Sequence, residues 1–449
     1  LGTVHVGERL TVRFTGVDPT GAATVRLGAV LLAVPFGVPG EEAVVEVTKG
    51  GRHAEGRLVA LLRKSVEVVP ARCPHFGRCG GCQWQHLSPA LQRRLKTRLV
   101  KDFLKEHADL RRDLVAEAIG GETWAYRNAI RVVFVERGGE VILGFHAHGS
   151  ARVLDIARCP VQHPANEAML QAAKDAVSDL RLPIYDRTTG RGLVRGLVGV
   201  ASFSTGQALL TLSTAARLPD ASAMVHALLD RVPGLVGILS SVQPTPTPEL
   251  LGPRVRLLWG RDHIEDLVAG FRLRVRPTTS MPTHPRAMNL LVDAVVRAAD
   301  LRTGDTVFDL TAQTPVIAMA LAQTAAAVTG VVAGRRQAAD AWEVAAQNGV
   351  ANVVFTTRDP ARALASAAVR RRTDVVVVTA QGPGIDPAVI GAVAAVGVPR
   401  VVYVARSLAT CAKDLRAWRQ ARYRAVRVQP VDLLPHTSHV HVVAALRRV

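Results

Sequence analysis

The chain has 449 residues, 48% of them hydrophobic, which excludes a disordered polymer and is enough for roughly two to four domains with buried cores. Lysine and arginine number 56 against 37 aspartates and glutamates, a net charge of +19 that favours a polyanionic partner through counterion release. Five cysteines are too few for a secreted disulfide scaffold, the apolar stretches are short, and the start lacks a basic segment leading into an apolar core; a cytoplasmic protein with no membrane partner is expected.

Residues 1–64 alternate between polar and apolar in short runs, 11–14, 24–27, 30–32 and 43–47, separated by glycine and proline. A period of two predicts strands, and strands this short predict a small β-barrel of the OB type, with a turn at 37–40. Next come Cys73, Cys79 and Cys82, three of the five cysteines within ten positions, with glycines between them that let the loop fold back; Cys159 is the distant fourth. Four such thiolates suit tetrahedral zinc as well as a [4Fe-4S] cluster.

A helix is predicted from about Ser88, its apolar stripe formed by Leu91, Leu95, Leu99 and Phe103. Arg93, Arg94, Lys96, Arg98 and Lys101 crowd the rest of its surface, where they are candidates for RNA phosphate contacts. Residues 125–270 read as mixed α/β, with strands at 130–134 and 209–212, a helix from 166, and a stiff Pro-Thr-Pro-Thr-Pro connector at 244–248. From about 300, strand and helix alternate strictly: strands at 306–310, 328–332, 353–355, 374–378 and 401–404, helices up to about 326 and at 336–347, 386–396 and 409–420, and two closing strands at 423–428 and 439–446. That order predicts a mostly parallel sheet covered by helices on both faces. Cys411 falls inside one of the helices and reads as a core thiol.

With these features the chain resembles the RNA uracil-5-methyltransferases, the tRNA and 23S rRNA 5-methyluridine enzymes, along nearly its full length. The resemblance is carried by the cysteine spacing, Tyr126 to Asn128, Leu143 to Phe145 with Gly149 and Ser150, Gly190 to Leu193 with Arg195, Trp259 to Asp262, and Asp432 to His439. It implies a TRAM-type RNA-binding β-barrel over 1–64, a central α/β domain over 65–270 with an iron-sulfur site on Cys73, Cys79, Cys82 and Cys159, and a Rossmann-like class I methyltransferase domain over 271–449. The cysteine match turns the metal expectation toward [4Fe-4S].

The family's chemistry adds a cysteine thiolate to C6 of uracil, so that C5 can take a methyl group from S-adenosylmethionine before a base removes the C5 proton. In this sequence Arg406 occupies the nucleophile position and His441 that of the glutamate base. Pro282 stands where the family has a substrate-contacting glutamine, and Thr379 opens a segment that has lost its acid. The turn after Asp309 has no glycine, and Val332 replaces the acid that would hold the ribose, so S-adenosylmethionine binding is expected to be degraded. The expectation is a catalytically inactive member that binds ribosomal or transfer RNA, with an association with ribosome assembly in view. The alternatives are an active S-adenosylmethionine-dependent RNA methyltransferase with an altered site, and a redox-sensing or scaffold protein centred on the cysteines.

Overall fold

Near the amino terminus, alternation of apolar and polar side chains curls six strands into a half-barrel. In this computed structural model, which describes residues 4–279, 283–312, 314–368, 373–380 and 382–449, the spatial order is Arg9–Arg13, Glu42–Lys49, His53–Arg63, Val30–Val34, Ala23–Leu27 and Gly16–Val17. The sequence positions Pro282, Gln313 and Gln381 lie outside the described residues. Phe14, Leu32, Val34 and Val45 fill the concave side. The first and last strands of that order are not paired with each other, so the sheet stays open where a closed barrel was expected. His53–Arg63 escaped the sequence reading because its second half is exposed on both faces and so carries no alternation.

A seven-stranded sheet follows, ordered Val153–Asp155, Glu140–His146, Ala129–Arg137, Val194–Ala201, Ala208–Thr214, Leu235–Val242 and Arg254–Gly260. It is antiparallel apart from the pairing of Ala208–Thr214 with Leu235–Val242. Helices Pro164–Asp179 and Ala221–Leu229 pack on it through Met169, Ala173, Val177, Met224 and Leu228.

The third sheet has eight strands, ordered Val353–Thr356, Ala327–Val331, Thr306–Asp309, Val375–Thr379, Arg400–Ala405, His441–Arg448, Tyr423–Asp432 and Ile119–Gly120. The first five run parallel and His441–Arg448 runs antiparallel to its neighbours, which is the class I methyltransferase arrangement. Valine-rich strands such as Val375–Thr379 are buried on both faces, as a helix-covered parallel sheet requires. Pro285–Ala299, Pro315–Ala322 and Arg335–Gln347 cover one face, and Pro387–Val396 and Leu408–Gln420 the other.

The second face is completed by a helix from far earlier in the chain, Pro89–Ala108. Ser88 caps it by accepting the Leu91 N–H at 3.2 Å, Pro89 starts it, and Asp109, with a φ of 51°, ends it. Leu99, Val100 and Leu104 go into the class I core. Lys96, fully buried, donates from Nζ to Asp432 Oδ1 at 2.5 Å and to the Leu434 carbonyl at 3.0 Å.

Those contacts hold a loop, residues 433–439, that touches every other part of the molecule. Ser438 Oγ donates to the Pro19 carbonyl at 2.9 Å in the half-barrel, and Trp84 Nε1 donates to Gly21 at 2.8 Å. The backbone N–H groups of Gln83 and Trp84 both reach the His436 carbonyl at 2.9 Å, and Tyr126 OH donates to Pro435 at 3.1 Å. His436 Nε2 faces the Thr123 carbonyl at 2.8 Å, which can only accept, so the ring proton sits on Nε2. Nδ1 then accepts from the Gln92 amide at 3.1 Å.

Removing the cation of the buried pair leaves Asp432 charged and without a counterion. Lys96→Met is expected to cost roughly 3–5 kcal/mol in urea unfolding, with Lys96→Met/Asp432→Leu recovering much of it; a loss of about 0.5 kcal/mol, as at an open surface site, would contradict the pairing. Burial also pushes His436 down to about 4. A histidine depressed in the folded state binds fewer protons there than in the unfolded chain. Stability should therefore fall as pH drops from the ordinary histidine range toward 4, with this residue adding up to about 1.4 kcal/mol per pH unit. His436→Gln should flatten that slope, and an unchanged slope in denaturation curves between pH 6 and 4.5 would count against the assignment.

Candidate functional site

The carboxyl ends of the parallel strands open into two adjoining hollows, where ligands of open α/β sheets are expected. The inner hollow, about 140 Å³, is lined by Asp309, Thr311, Thr314, Thr379, Arg406 and His441 among others. The outer one, about 520 Å³, runs past Val331, Val332, Asp359, Val378, Ile385 and Asp386. Thr311 and Thr379 border both, and Thr379 N–H donates to Thr311 Oγ1 at 2.6 Å, joining the ends of two strands at the threshold. Gly384, at φ 127°, forms part of the outer wall; a Cβ there would come within 2.6 Å of Asp414 Oδ1. That carboxylate is fixed by Tyr403 OH at 2.9 Å and the Ile385 N–H at 3.0 Å.

The structure brings Arg406, His441, Asp309 and Thr379 together around the inner hollow and places Val332 in the outer one. Arg406 immediately follows the strand Arg400–Ala405 and is exposed. His441 begins the last strand, is 9% exposed, and its Nδ1 is buried without a hydrogen-bond partner. Burial first and the Arg406 charge second push it down to about 3, which makes it a weak proton acceptor at neutral pH. Asp309 is 2% exposed, accepts the Thr311 N–H at 3.2 Å, and is pushed up to about 7 by burial. Cys411 is fully buried in Leu408–Gln420, facing the core, and burial raises its thiol well above the ordinary range.

The four remaining cysteines do not form the expected centre. Cys73, Cys79, Cys82 and Cys159 are free and half-buried; the first three lie on a loop that docks against Glu140–His146 through the Gly80 N–H and the His146 carbonyl at 3.0 Å, and Cys159 lies between Val153–Asp155 and Pro164–Asp179. Among the described residues no group of three or more histidine, cysteine, aspartate or glutamate side chains is placed to hold a metal ion. Burial pushes Cys82 up to about 11 and Cys159 to about 12, so that both are neutral thiols in the metal-free protein. The [4Fe-4S] expectation is corrected accordingly.

On the helix Pro89–Ala108, Lys96 points inward to Asp432, while Arg94, Arg98 and Lys101 pair on the outer surface with Glu67, Asp102 (3.4 Å) and Glu117 (3.0 Å). Arg93 is half-buried. Among the described residues no helix is long and apolar enough to cross a membrane. The sequence reading missed Gln92 and His436, whose mutual hydrogen bonds lock the loop behind the cleft. The signal for Gln92 was a polar pair, Gln92 and Lys96, one helical turn apart beside an apolar stripe, and for His436 it was the motif from Asp432 to His439.

The outer hollow suits a nucleoside, with flat apolar walls for a base and two carboxylates for hydroxyls. Comparison with models of known protein families found no match. Among individual proteins, the chain is 31% identical over 453 residues to an uncharacterized RNA methyltransferase of Caldanaerobacter subterraneus subsp. tengcongensis, covering all of both chains. It is 32% identical over 449 residues to one of Halalkalibacterium halodurans, covering 99% of this chain and 98% of the other. Among solved structures, the tRNA (uracil-54, C5)-methyltransferase of Pyrococcus abyssi in complex with S-adenosyl-L-homocysteine superimposes with a TM-score of 0.75 at 21% identity, over 97% of this chain and 99% of the other. A fold matched over this length accommodates S-adenosyl-L-homocysteine in that enzyme, which overturns the expectation, drawn from the missing glycines and Val332, that the cofactor site is degraded. Full-length relatedness to RNA methyltransferases, joined to the motifs from Tyr126 to His439, establishes that the chain belongs to the RNA (uracil-5-)-methyltransferase family.

Proposed function

We propose that this protein binds structured RNA, ribosomal or transfer, with S-adenosylmethionine in the 520 Å³ hollow, and that it does not methylate uracil at C5. The observation that carries this reading is the placement of Arg406 at the rim of the inner hollow, while the neighbouring thiol, Cys411, is fully buried and faces the other way. A guanidinium cannot add to C6 of a pyrimidine, and without that adduct C5 is not nucleophilic. His441, held neutral by burial, is a poor substitute for a carboxylate base.

S-adenosylmethionine, when bound, supplies an electrophilic methyl group. Asp359 and Asp386 each cap a helix through Oδ1, to Arg362 N–H at 3.0 Å and Ala388 N–H at 2.8 Å, and each has a second oxygen to offer a ribose hydroxyl. Val331, Val332 and Ile385 exclude water from the base. RNA backbone would lie along Arg93, Arg94, Arg98 and Lys101, the last three in surface ion pairs weak enough to exchange for phosphate.

A second reading, methyl transfer to another RNA atom, is favoured by one observation. Asp309, poised at about 7, stands in the inner hollow and is able to take or give a proton near neutrality.

Incubation with RNA containing 5-fluorouridine and S-adenosylmethionine is expected to give no adduct resistant to denaturing electrophoresis, whereas titration calorimetry should register S-adenosylmethionine binding. A trapped covalent complex would refute the loss of uracil chemistry, and absence of heat would refute the cofactor assignment.

A further inference from the structure

We propose that the inner hollow is an oxyanion site that takes a phosphate group of RNA where the family's chemistry calls for a reacting base, an inference that rests on the RNA-binding reading above. Four independent features of the hollow converge on a ligand with acceptors only.

Arg406 stands at the rim and, among the described residues, makes no hydrogen bond or ion pair, in contrast to Arg94, Arg98 and Lys101 with their carboxylates. A planar guanidinium free of a counterion matches a phosphate in a bidentate manner. His441 is more than nine-tenths buried and lines the same space, and its Nδ1 has nothing to bond. With the ring proton on Nδ1, that N–H has no acceptor in the protein and would be answered only by an acceptor on an occupant.

The helix Pro315–Ala322 starts at this hollow. Its N-cap residue Thr314 makes no side-chain capping bond, which leaves the first-turn N–H groups and the positive end of the helix dipole uncapped beside the cavity. Hydroxyls of Thr311 and Thr314 complete the polar wall. Among the residues lining the hollow the one acid is Asp309, whose Oδ1 is engaged by the Thr311 N–H and which burial, raising it to about 7, leaves only partly charged at neutral pH; Arg406 and Lys96 add positive potential at His441. The cavity of about 140 Å³ is small for a nucleoside and roomy for a tetrahedral group.

The test is binding of a fluorescent single-stranded hexauridylate, with and without a 5′-phosphate, to full-length wild-type protein and to Arg406→Gln. Inorganic phosphate serves as competitor and as a ligand followed by ³¹P line broadening. Arg406 is exposed, so R406Q should fold, and its thermal unfolding checks this. Loss of one charged bidentate contact is expected to weaken RNA binding about tenfold, with phosphate broadening lost in the variant. If the 5′-phosphorylated oligonucleotide binds better than its hydroxyl form, the occupant is a terminal phosphate; if the two are equal and both lose affinity in R406Q, it is a backbone phosphate. RNA binding that is identical in wild type and R406Q overturns the inference and leaves the RNA-binding reading intact. Phosphate broadening that depends on Arg406 without any RNA binding overturns RNA as the source.

Discussion

The buried Lys96–Asp432 pair holds this molecule together across more than three hundred residues of sequence. A lysine with no solvent contact is tolerated only against a carboxylate and a carbonyl, and these come from the end of the strand Tyr423–Asp432 and the start of the loop that follows it. Once that loop is fixed, its remaining polar groups reach the half-barrel through Ser438 and Pro19, the cysteine loop through His436 and Gln83, and the segment leading into the central sheet through Pro435 and Tyr126. The loop therefore determines how three sheets of separate origin sit around the cleft.

This division of labour explains why one carboxyl-terminal motif keeps its family form while its neighbours depart from it. Asp432 to Ser438 serves architecture, since the side chains of Asp432, His436 and Ser438 each have a partner in another element. Arg406, His441, Val332 and Thr379 line the hollows instead. A scaffold of this kind can lose a reaction and keep its binding surfaces.

Much of the architecture was legible because two periodicities carry it. Alternation at 24–27 and 43–47 became Ala23–Leu27 and Glu42–Lys49, and the strand-helix succession after 300 became the class I sheet with boundaries displaced by a few residues. What escaped is what periodicity does not encode. Ile119–Gly120 is two residues long and extends the sheet only because Tyr423–Asp432 leaves an open edge. Lys96 read as one more cation on a basic surface, since nothing local distinguishes an inward lysine from its neighbours; its partner lies 336 positions away. The cysteines showed the opposite failure. Their spacing was clear, but spacing does not state how the side chains sit in three dimensions, and among the described residues no group is placed to hold a metal ion. The cofactor cleft was misjudged because a missing glycine was read as a lost site, although the cavity is set by strand ends and not by that turn alone.

The account stands or falls on whether uracil in RNA can be methylated at C5 without a thiol at position 406. Total RNA incubated with purified protein and S-adenosylmethionine bearing a deuterated methyl group, digested to nucleosides and analysed by mass spectrometry, addresses this directly. The account predicts no deuterated 5-methyluridine above a protein-free control; its time-dependent accumulation would contradict it.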